Sequence, residues 1–317
     1  MLKKGLFWVV IIFFTFNSFK LKSQGSDSIT YWTNGGFASI VFNQISLTNW
    51  AKGGESSLSS AAFLNLFANY KKDGLQWDNS LDMAYGIQSG EELGLRKNED
   101  KIDLNSKVGL NAFNQFFYTA LLNLKTQFAY GYNYPNDTDV VSKFFAPAYL
   151  IVSLGLDYKP VDYFSVYLSP ATGRFIFVLD QKLADQGAYG VDKAVYDNNG
   201  NLIESGKTLK PEFGAYLKAF FKKDIFQNVN LESKLALFNN YTDKDPGNRK
   251  NIDVDWETNI VMKINKFITA NVILHLIYDE NIKVPIFEKI NGVKTKVGEG
   301  SRLQIKQVFG LGFSYKF

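Results

Sequence analysis

The segment SRLQIKQVFGLGFSYKF, residues 301–317, decides the fold because its side chains alternate in character almost without a break. One face carries large apolar side chains, namely Leu303, Ile305, Phe309, Leu311, Phe313, Tyr315 and Phe317. The other face carries small or polar residues, namely Arg302, Gln304, Lys306, Gly310, Gly312, Ser314 and Lys316. Successive side chains of a β-strand point to opposite sides, so a period of two predicts a strand. One apolar and one water-facing side suit a strand that crosses a bilayer within a barrel.

A strand of a soluble β-sandwich also alternates, and this segment alone leaves that alternative open. Such a strand seldom sets seven large apolar side chains, three of them aromatic at its end, opposite Gly, Ser and cations. A C-terminal strand ending in Phe also resembles the sorting signal of Gram-negative outer-membrane barrels, which the barrel-assembly machinery reads. The resemblance implies that Phe313, Tyr315 and Phe317 act as an assembly signal.

The N-terminus has the pattern of an export signal. Lys3 and Lys4 precede an apolar run from Gly5 to Phe16, and a polar stretch follows. This order predicts a secretory signal peptide, residues 1–23, cleaved after Ser23. A membrane-anchoring helix is the alternative, but the run is shorter than the ~20 residues that a helix needs to cross hydrocarbon. The predicted division is therefore a signal peptide, residues 1–23, and an outer-membrane β-barrel, residues 24–317.

Composition favours a barrel and excludes several other classes. The 317 residues include 28 Phe and 17 Tyr against 7 Pro, which suits strands with aromatic girdles at their ends. There is no Cys, so no disulfide framework, lipoprotein acylation site or cysteine metal site is expected. The net charge of +4 supports no nucleic-acid partner. A mean hydropathy of −0.13 is expected when half of each strand faces water.

Twelve alternating segments predict twelve strands. They lie near residues 36–47, 58–70, 75–88, 102–112, 118–133, 150–158, 163–180, 209–222, 229–241, 252–264, 270–278 and 301–317. Pro170 and Gly173 predict a bulge or bend in the seventh strand. Short and long connections alternate, as between periplasmic turns and outer loops. The predicted fold is all-β, a transmembrane antiparallel β-barrel of about twelve strands with both termini in the periplasm.

Charges fix the phase of the tenth strand. A slip of one residue would turn Asp253, Asp255 and Glu257 toward lipid, where a basic residue at the midplane costs ~2–4 kcal/mol and an acid somewhat less. These carboxylates therefore face the lumen, together with Asp78 and Asp82 of the third strand. Alternate carboxylates could hold Ca²⁺, but pairing with inward cations is favoured because small barrels fill their interiors with side chains. The inward cations are Lys125, Lys263, Arg302 and Lys306.

His275 is the only histidine, and its phase on the eleventh strand points it inward beside Asn271 and Thr269. Catalysis would require a nucleophile in reach, and the sequence has no nucleophile elbow, phosphate-binding loop or zinc-ligand spacing. A hydrogen-bonded lumen histidine is therefore favoured. We predict no catalytic, cofactor-binding or metal-binding residues, no cofactor and no enzyme.

The N-terminal part of the predicted barrel resembles a known family. Its matching residues are Trp32, Gly35-Gly36, Phe42-Asn43-Gln44, Asn49-Trp50-Ala51 and Gly53-Gly54, with Tyr189-Gly190-Val191 as a weaker second match. The pattern is similar to that of an uncharacterised family of Bacteroidetes outer-membrane proteins, a domain of unknown function. The resemblance implies a β-barrel in the outer membrane of such a bacterium and brings no activity with it.

The segment Asn49 to Gly54 has two interpretations. The first is a hairpin loop whose glycines allow positive φ and whose Trp50 lies in the outer interfacial girdle. The second is a loop folded into the barrel mouth, where Trp50 narrows or gates a pore and Asn49 bonds the lumen wall. Gly53 and Gly54 would then act with Gly35-Gly36 as hinges.

Two functions fit these patterns. The first is a channel or transport barrel for small solutes or apolar molecules, because the predicted lumen is rich in Asp, Lys and Asn. The second is a non-conducting scaffold barrel that binds another cell-envelope protein through its extracellular loops, above all Gln181 to Thr208. Outer-membrane lipid and the barrel-assembly machinery are the other expected partners. The expected location is the cell outer membrane.

Overall fold

The computed structural model describes residues 30–45, 57–90, 94–134, 136–290 and 292–317. The predicted signal peptide, residues 1–23, lies outside these ranges, as do Asn49, Trp50, Gly53 and Gly54. Residues 32–317 make up the structural unit described below. No helix within the described part of the chain has the length and apolar character needed to span a membrane.

Almost all regular structure consists of strands. In chain order they are β1 (Trp32–Ile45), β2 (Ser57–Lys72), β3 (Leu75–Gly90), β4 (Gly94–Phe113), β5 (Phe116–Thr126), β6 (Gly131–Tyr132), β7 (Val140–Ser142), β8 (Ala148–Val161), β9 (Phe164–Phe177), β10 (Val195–Tyr196), β11 (Leu202–Glu204), β12 (Leu209–Phe226), β13 (Val229–Asn240), β14 (Asp253–Lys263), β15 (Ile268–Tyr278), β16 (Val284–Ile290), β17 (Val293–Gly300) and β18 (Gln304–Lys316). Helix α1 (Gln181–Asp185) and two 3-10 turns, Ala188–Gly190 and Asn248–Lys250, lie in the connections.

Twelve of these strands close into a barrel. Its order is β1-β18-β15-β14-β13-β12-β9-β8-β5-β4-β3-β2, and neighbouring strands are antiparallel. The remaining strands form three two-stranded hairpins, β6-β7, β10-β11 and β16-β17, within the connections. The predicted closed antiparallel barrel of about twelve strands is therefore confirmed.

The outer surface of the barrel is apolar. On β18 the outward side chains Phe309 and Phe313 are 61% and 60% exposed, whereas Gly310 and Gly312 between them are buried. The outward indoles also have their N–H groups satisfied, since Trp77 donates to Ser106 Oγ and Trp256 to Ser233 Oγ, both at 2.9 Å. Unsatisfied polar groups are costly in hydrocarbon, so this surface has the properties of one that faces lipid.

The two ends of the barrel differ in their connections. One end has tight turns between β2 and β3, β4 and β5, β8 and β9, and β12 and β13. In the first of these, Asp73 and Gly74 have φ values of 48° and 83°, the positive values that a tight hairpin turn requires. The beginning of β1 and the end of β18 meet there too, because Gly36 N donates to Phe317 O at 2.8 Å. The four long connections from β5 to β8, β9 to β12, β13 to β14 and β15 to β18 leave the other end, here called the mouth.

Strand lengths depart from the sequence prediction in two places. The charged segment Ser89–Lys101 was expected to be a loop, but β3 continues to Gly90 and β4 already begins at Gly94. The fifth strand was expected to reach Asn133, but β5 ends at Thr126. There the Asp100 carboxylate accepts hydrogen bonds from the backbone N–H groups of Phe128 and Ala129. Because these two backbone N–H groups bond to a side chain, they do not pair with a neighbouring strand, and β5 ends before them.

The bulge predicted in the seventh strand is confirmed in β9. The register between β8 and β9 shifts from Leu154↔Ala171 to Leu156↔Leu168, so β9 has one additional residue around Pro170. Ser169 Oγ donates to Leu154 O at 2.7 Å across the shift. Proline has no N–H for a ladder hydrogen bond, and the bulge accommodates it.

Candidate functional site

The lumen contains a ladder of ion pairs along β14. Asp253, Asp255 and Glu257 alternate along this strand and all face inward. Each contacts a cation from a different strand: Arg174 Nη2 lies 2.7 Å from Asp253, Lys125 Nζ 2.5 Å from Asp255 and Lys101 Nζ 2.7 Å from Glu257. Each of the three carboxylates therefore has its own cationic partner.

Two of the ion pairs join opposite walls of the barrel. Strands β4 and β14 lie six places apart in the ring of twelve, and so do β3 and β13. Lys101 of β4 contacts Glu257 of β14 at 2.7 Å, and Lys234 of β13 contacts Asp82 of β3 at 3.0 Å. At this level side chains from opposite walls therefore meet in the middle of the lumen. We call these two contacts the cross-lumen pairs.

Further ion pairs lie nearer the two ends of the lumen. Toward the tight turns, Lys159 Nζ contacts Asp78 at 2.7 Å and Lys107 Nζ contacts Asp157 at 2.6 Å. Toward the mouth, Lys306 pairs with Glu99 of β4. Glu99 belongs to the segment that was expected to be a loop.

Two cations from the sequence prediction are placed differently. Arg302 and Lys263 are exposed, and neither takes part in an ion pair within the described ranges of the chain. Arg302 precedes β18 and Lys263 is the last residue of β14, so both lie at the ends of strands. For these two cations the inward phase alone therefore does not predict an ion pair, because each lies at a strand end.

His275 belongs to the same network. Its Nε2 lies 2.8 Å from Asp255 Oδ1, and Asn271 and Thr269 of the same strand are buried. Asp255 thus contacts both Lys125 and His275. The described residues contain no group of three or more His, Cys, Asp and Glu side chains arranged to hold a metal ion.

One wall of the lumen carries an apolar cluster that the sequence prediction missed. Leu121 of β5, Tyr167 of β9, Tyr216 of β12 and Phe238 of β13 pack together and are almost fully buried. The Tyr167 hydroxyl is hydrogen-bonded to Ser153 Oγ at 2.8 Å. Along this wall the barrel is packed like the interior of a soluble protein. We call these four residues the lumen core.

Residues 178–208, which connect β9 and β12, pack over part of the mouth, and we call them the mouth cover. The sequence predicts a strand up to Asp180 and a loop from Gln181 to Thr208, but the segment has an apolar core of its own, in which Val178, Leu183, Ala184 and Val191 pack with Ala146. Asp180 Oδ1 caps helix α1 by accepting a hydrogen bond from Leu183 N at 2.9 Å. The segment is therefore held by packing as well as by its two ends.

The mouth cover contacts three other connections. Tyr189 Oη donates to Val141 O of β7 at 2.7 Å, and Asp180 pairs with Lys143 at 2.5 Å. Asp192 pairs with Lys244 in the connection between β13 and β14. Gly190 lies against Asn281, just beyond β15, and against the Lys210 side chain. The cover thus reaches from β7 to the end of β15.

A buried arginine lies at the mouth end of the lumen. Arg174 Nε donates to Glu212 at 2.5 Å, its Nη2 contacts Asp253 and its Nη1 lies 3.9 Å from Asp279. The guanidinium carbon also lies 4.1 Å from the centre of the Phe238 ring. Arginine suits this position because its planar group presents several donors at once.

The sequence prediction missed several members of this network, namely Glu99, Lys101, Arg174, Glu212 and Lys234. Glu99 and Lys101 were assigned to a charged loop, although they have the same odd-numbered phase as the inward Asp103. Arg174 follows the Pro170 to Gly173 interruption, where the bulge resets the phase of the strand. Extending the alternation of β4 upstream would have identified the first two.

Comparisons with known proteins give no named function for this chain. Residues 42–132 match the family described as "Protein of unknown function (DUF3078)", which covers less than a third of the chain. No curated protein matches the chain.

Several solved structures are similar to this chain. An outer membrane channel from Pseudomonas putida F1 is 14% identical, with a TM-score of 0.38, over 92% of this chain and 100% of that one. The NanC porin is 8% identical, with a TM-score of 0.35, over 89% and 100%. The translocator domain of the autotransporter NalP from Neisseria meningitidis is 9% identical, with a TM-score of 0.35, over 94% and 91%.

Proposed function

We propose that the protein is an integral outer-membrane transport barrel for small solutes, and that ion pairs hold its lumen closed at rest. The closed ring of strands and its apolar outer surface support a place in a membrane. A lumen lined by Asp, Glu and Lys side chains is the kind of interior through which polar solutes cross outer membranes. The predicted signal peptide agrees with export to that membrane.

The cross-lumen pairs carry this proposal. Lys101 and Glu257 retain 27% and 24% of their side-chain exposure, and Lys234 and Asp82 retain 26% and 18%. Water in the lumen therefore reaches these groups and can replace the partner when a pair separates. A constriction made of hydrated ion pairs opens at a much smaller cost than one made of packed apolar side chains.

Single-channel recording in planar bilayers tests the proposal. The double variant Glu257→Gln with Asp82→Asn removes one charge from each cross-lumen pair, so the open fraction and the conductance should rise above those of the wild type. Glu204→Gln is the matched control, since the Lys207–Glu204 pair lies in the mouth cover with both side chains more than half exposed. A double variant that folds and conducts no better than the control would refute the proposed closing role.

The lumen core favours a second candidate, a non-conducting scaffold barrel. Leu121, Tyr167, Tyr216 and Phe238 fill one side of the lumen, and the mouth cover lies over part of its end. If the barrel never conducts even when the cross-lumen pairs are neutralised, the scaffold becomes the better account. An envelope-protein partner should then co-purify with the intact protein and be lost when residues 195–204 are shortened.

A further inference from the structure

The barrel is closed least completely where its first and last strands meet. Within the described residues, β1 and β18 form only the six pairs from Phe37↔Lys316 to Phe42↔Leu311. Each of the other eleven neighbouring pairs of barrel strands has ten or more. Among the described residues of β1, those on the mouth side of Phe42 that have no partner on β18 are Asn43, Gln44 and Ile45. We call this part of the wall the seam gap.

Both strands continue past the point where they separate. Asn43, Gln44 and Ile45 still pair with β2, and β18 stays paired with β15 as far as Gln304. Asn43 Nδ2 donates to Phe309 O at 3.3 Å, so a side chain takes a place that backbone groups occupy elsewhere in the wall. The gap is therefore a separation of two intact strands.

Glycines hold the paired part of the seam in close contact. A Cβ at Gly312 would lie 2.3 Å from Ile40 O, and a Cβ at Gly310 would lie 2.3 Å from Val41 Cγ1. A larger residue at either position would push the strands apart. The strands thus approach closely up to Gly310 and separate directly beyond it.

A cavity of about 200 Å³ lies at the seam gap. Val41, Asn43, Ala61 and Gln88 line it from the lumen side, and it reaches Phe309, whose side chain is on the outer surface. Backbone without ladder partners is tolerated at membrane depth only where it is covered by protein or lines a cavity. The cavity lies where β1 and β18 separate, between the inward Asn43 and the outward Phe309.

The lining indicates the chemistry of a ligand. Its two charged groups, Lys306 and Glu99, neutralise each other, which leaves amide and hydroxyl groups such as those of Asn43, Gln88 and Ser59. On its outward side the cavity is lined by Phe309 together with the polar residues Ser60 and Gln307. An uncharged head group would find hydrogen-bonding partners inside, and an apolar chain would remain among the outward side chains.

We propose that the seam gap is a lateral binding site for single-chain, uncharged amphiphiles that arrive from the bilayer. The hydroxyl or amide head of such a molecule lies in the cavity beside Asn43 and Gln88, and its chain passes Phe309 into the lipid. The site does not depend on solute conduction through the lumen, because the ligand arrives between β1 and β18. A test of this binding site and a test of solute transport can therefore give different outcomes.

Photolabelling tests this site, with dodecanol that carries a diazirine close to its hydroxyl group as the probe. The protein in liposomes is labelled, digested and mapped by mass spectrometry. Label should concentrate on Asn43, Phe309 and their neighbours, above the level on other outward strand positions. An even spread over the outer surface would overturn the proposal, because it would show only general contact with lipid. Dodecanoate labelling the same residues equally would overturn the preference for an uncharged head.

A disulfide lock provides the matched control. The chain has no Cys, and Gln44 and Phe309 would face each other if the pairing continued beyond Phe42↔Leu311. Oxidised Gln44→Cys with Phe309→Cys should lower the labelling of Asn43 to the level of other strands, and reduction should restore it. Ala120→Cys with Leu154→Cys links a pair on the β5–β8 wall and should change nothing at the seam. Labelling of Asn43 that persists in the oxidised seam variant would contradict the proposal.

A cavity-filling variant gives an independent answer if the lock prevents folding. Ala61 points into the cavity from β2, so Ala61→Trp fills it and leaves both seam strands unchanged. Labelling at Asn43 should fall to the background of the outer surface while heat-modifiable migration stays that of a folded barrel. Full labelling in a folded Ala61→Trp variant would show that the probe does not occupy the cavity.

Discussion

Two sides of this barrel share one exterior and have different interiors. From β5 to β13 the lumen side is filled by the lumen core and overlaid by the mouth cover. From β15 through β18 and β1 to β3 it carries small or polar residues such as Ser39, Thr269 and Gly310 beside the inward Phe63 and Phe67, and the wall separates at the seam gap. In the proposed membrane, lipid would impose one requirement on every outward position, whereas inward positions are free to differ. The two sides of this barrel therefore differ in their inward side chains, and any difference in packing or binding between them must arise there.

The closed part of the seam should have the largest effect on the protein as a whole. Phe317 exchanges two backbone hydrogen bonds with Gly36, at 2.8 and 3.0 Å, where the last strand meets the first. Deleting Phe317 removes both these hydrogen bonds and the aromatic end of the proposed assembly signal, whereas Phe317→Asp removes only the aromatic side chain. Both variants should leave the protein unassembled, the deletion to the greater extent. Heat-modifiable migration and outer-membrane yield measure the assembled fraction.

Phe226→Asp is the control for this prediction. Phe226 ends β12 beside a tight turn and is 72% exposed, so it is a similar aromatic residue outside the seam. Normal assembly of this variant together with failure of the Phe317 variants would place the effect at the seam. Normal yield of the Phe317 variants would contradict it.

The two sides should also respond differently to the loss of a cation. Arg174 on the filled side is 8% exposed among Glu212, Asp253 and Asp279, so Arg174→Met leaves buried carboxylates without their partner. We expect a loss of about 3–5 kcal/mol in the free energy of unfolding, the usual cost of breaking a buried pair. Lys306 on the seam side is 39% exposed, so Lys306→Met should cost about 1 kcal/mol or less.

Urea unfolding in liposomes, followed by tryptophan fluorescence, measures both losses. Equal losses for the two variants would mean that the two sides do not differ in packing. A larger loss for Lys306→Met would reverse the comparison and assign the more tightly packed interior to the seam side.

The sequence predicts outward positions better than inward ones. The alternation around Phe309 and Leu311 predicts the strand because lipid enforces it at every outward position. The partners of Asp253 and Asp82 could not be predicted, because Arg174 and Lys234 belong to strands distant in sequence and contact them only when the ring closes. Leu121 was missed because an inward leucine departs from the usual polar lumen.

The smallest expected effect concerns the attachment of the mouth cover. Asp180 caps α1 and pairs with Lys143, and both residues lie in connections outside the barrel strands. The hydrogen bond from Lys143 lowers the pKa of Asp180, with a further contribution from Leu183 N, and the same contact raises the pKa of Lys143. A lowered carboxyl pKa stabilises the folded state at pH values above the ordinary aspartate pKa of about 3.9, and that stabilisation is lost as the pH falls below it.

Attachment of the cover should therefore be constant from about pH 5 to pH 9 and weaken at lower pH. It should also weaken at strongly alkaline pH, because a raised lysine pKa stabilises the folded state only while the amine is protonated. Hydrogen exchange of the backbone amides in residues 181–191, corrected for the intrinsic effect of pH, follows this attachment.

Asp180→Asn separates the charge from the cap, because Asn still accepts the hydrogen bond from Leu183 N but no longer pairs with Lys143. At pH 7 the variant should exchange slightly faster than the wild type in residues 181–191, and acid should change it less. If wild type and variant exchange at the same rate at pH 7 and accelerate together in acid, the Lys143 pair does not hold the cover. The packing of Leu183 and Val191 would then account for its attachment.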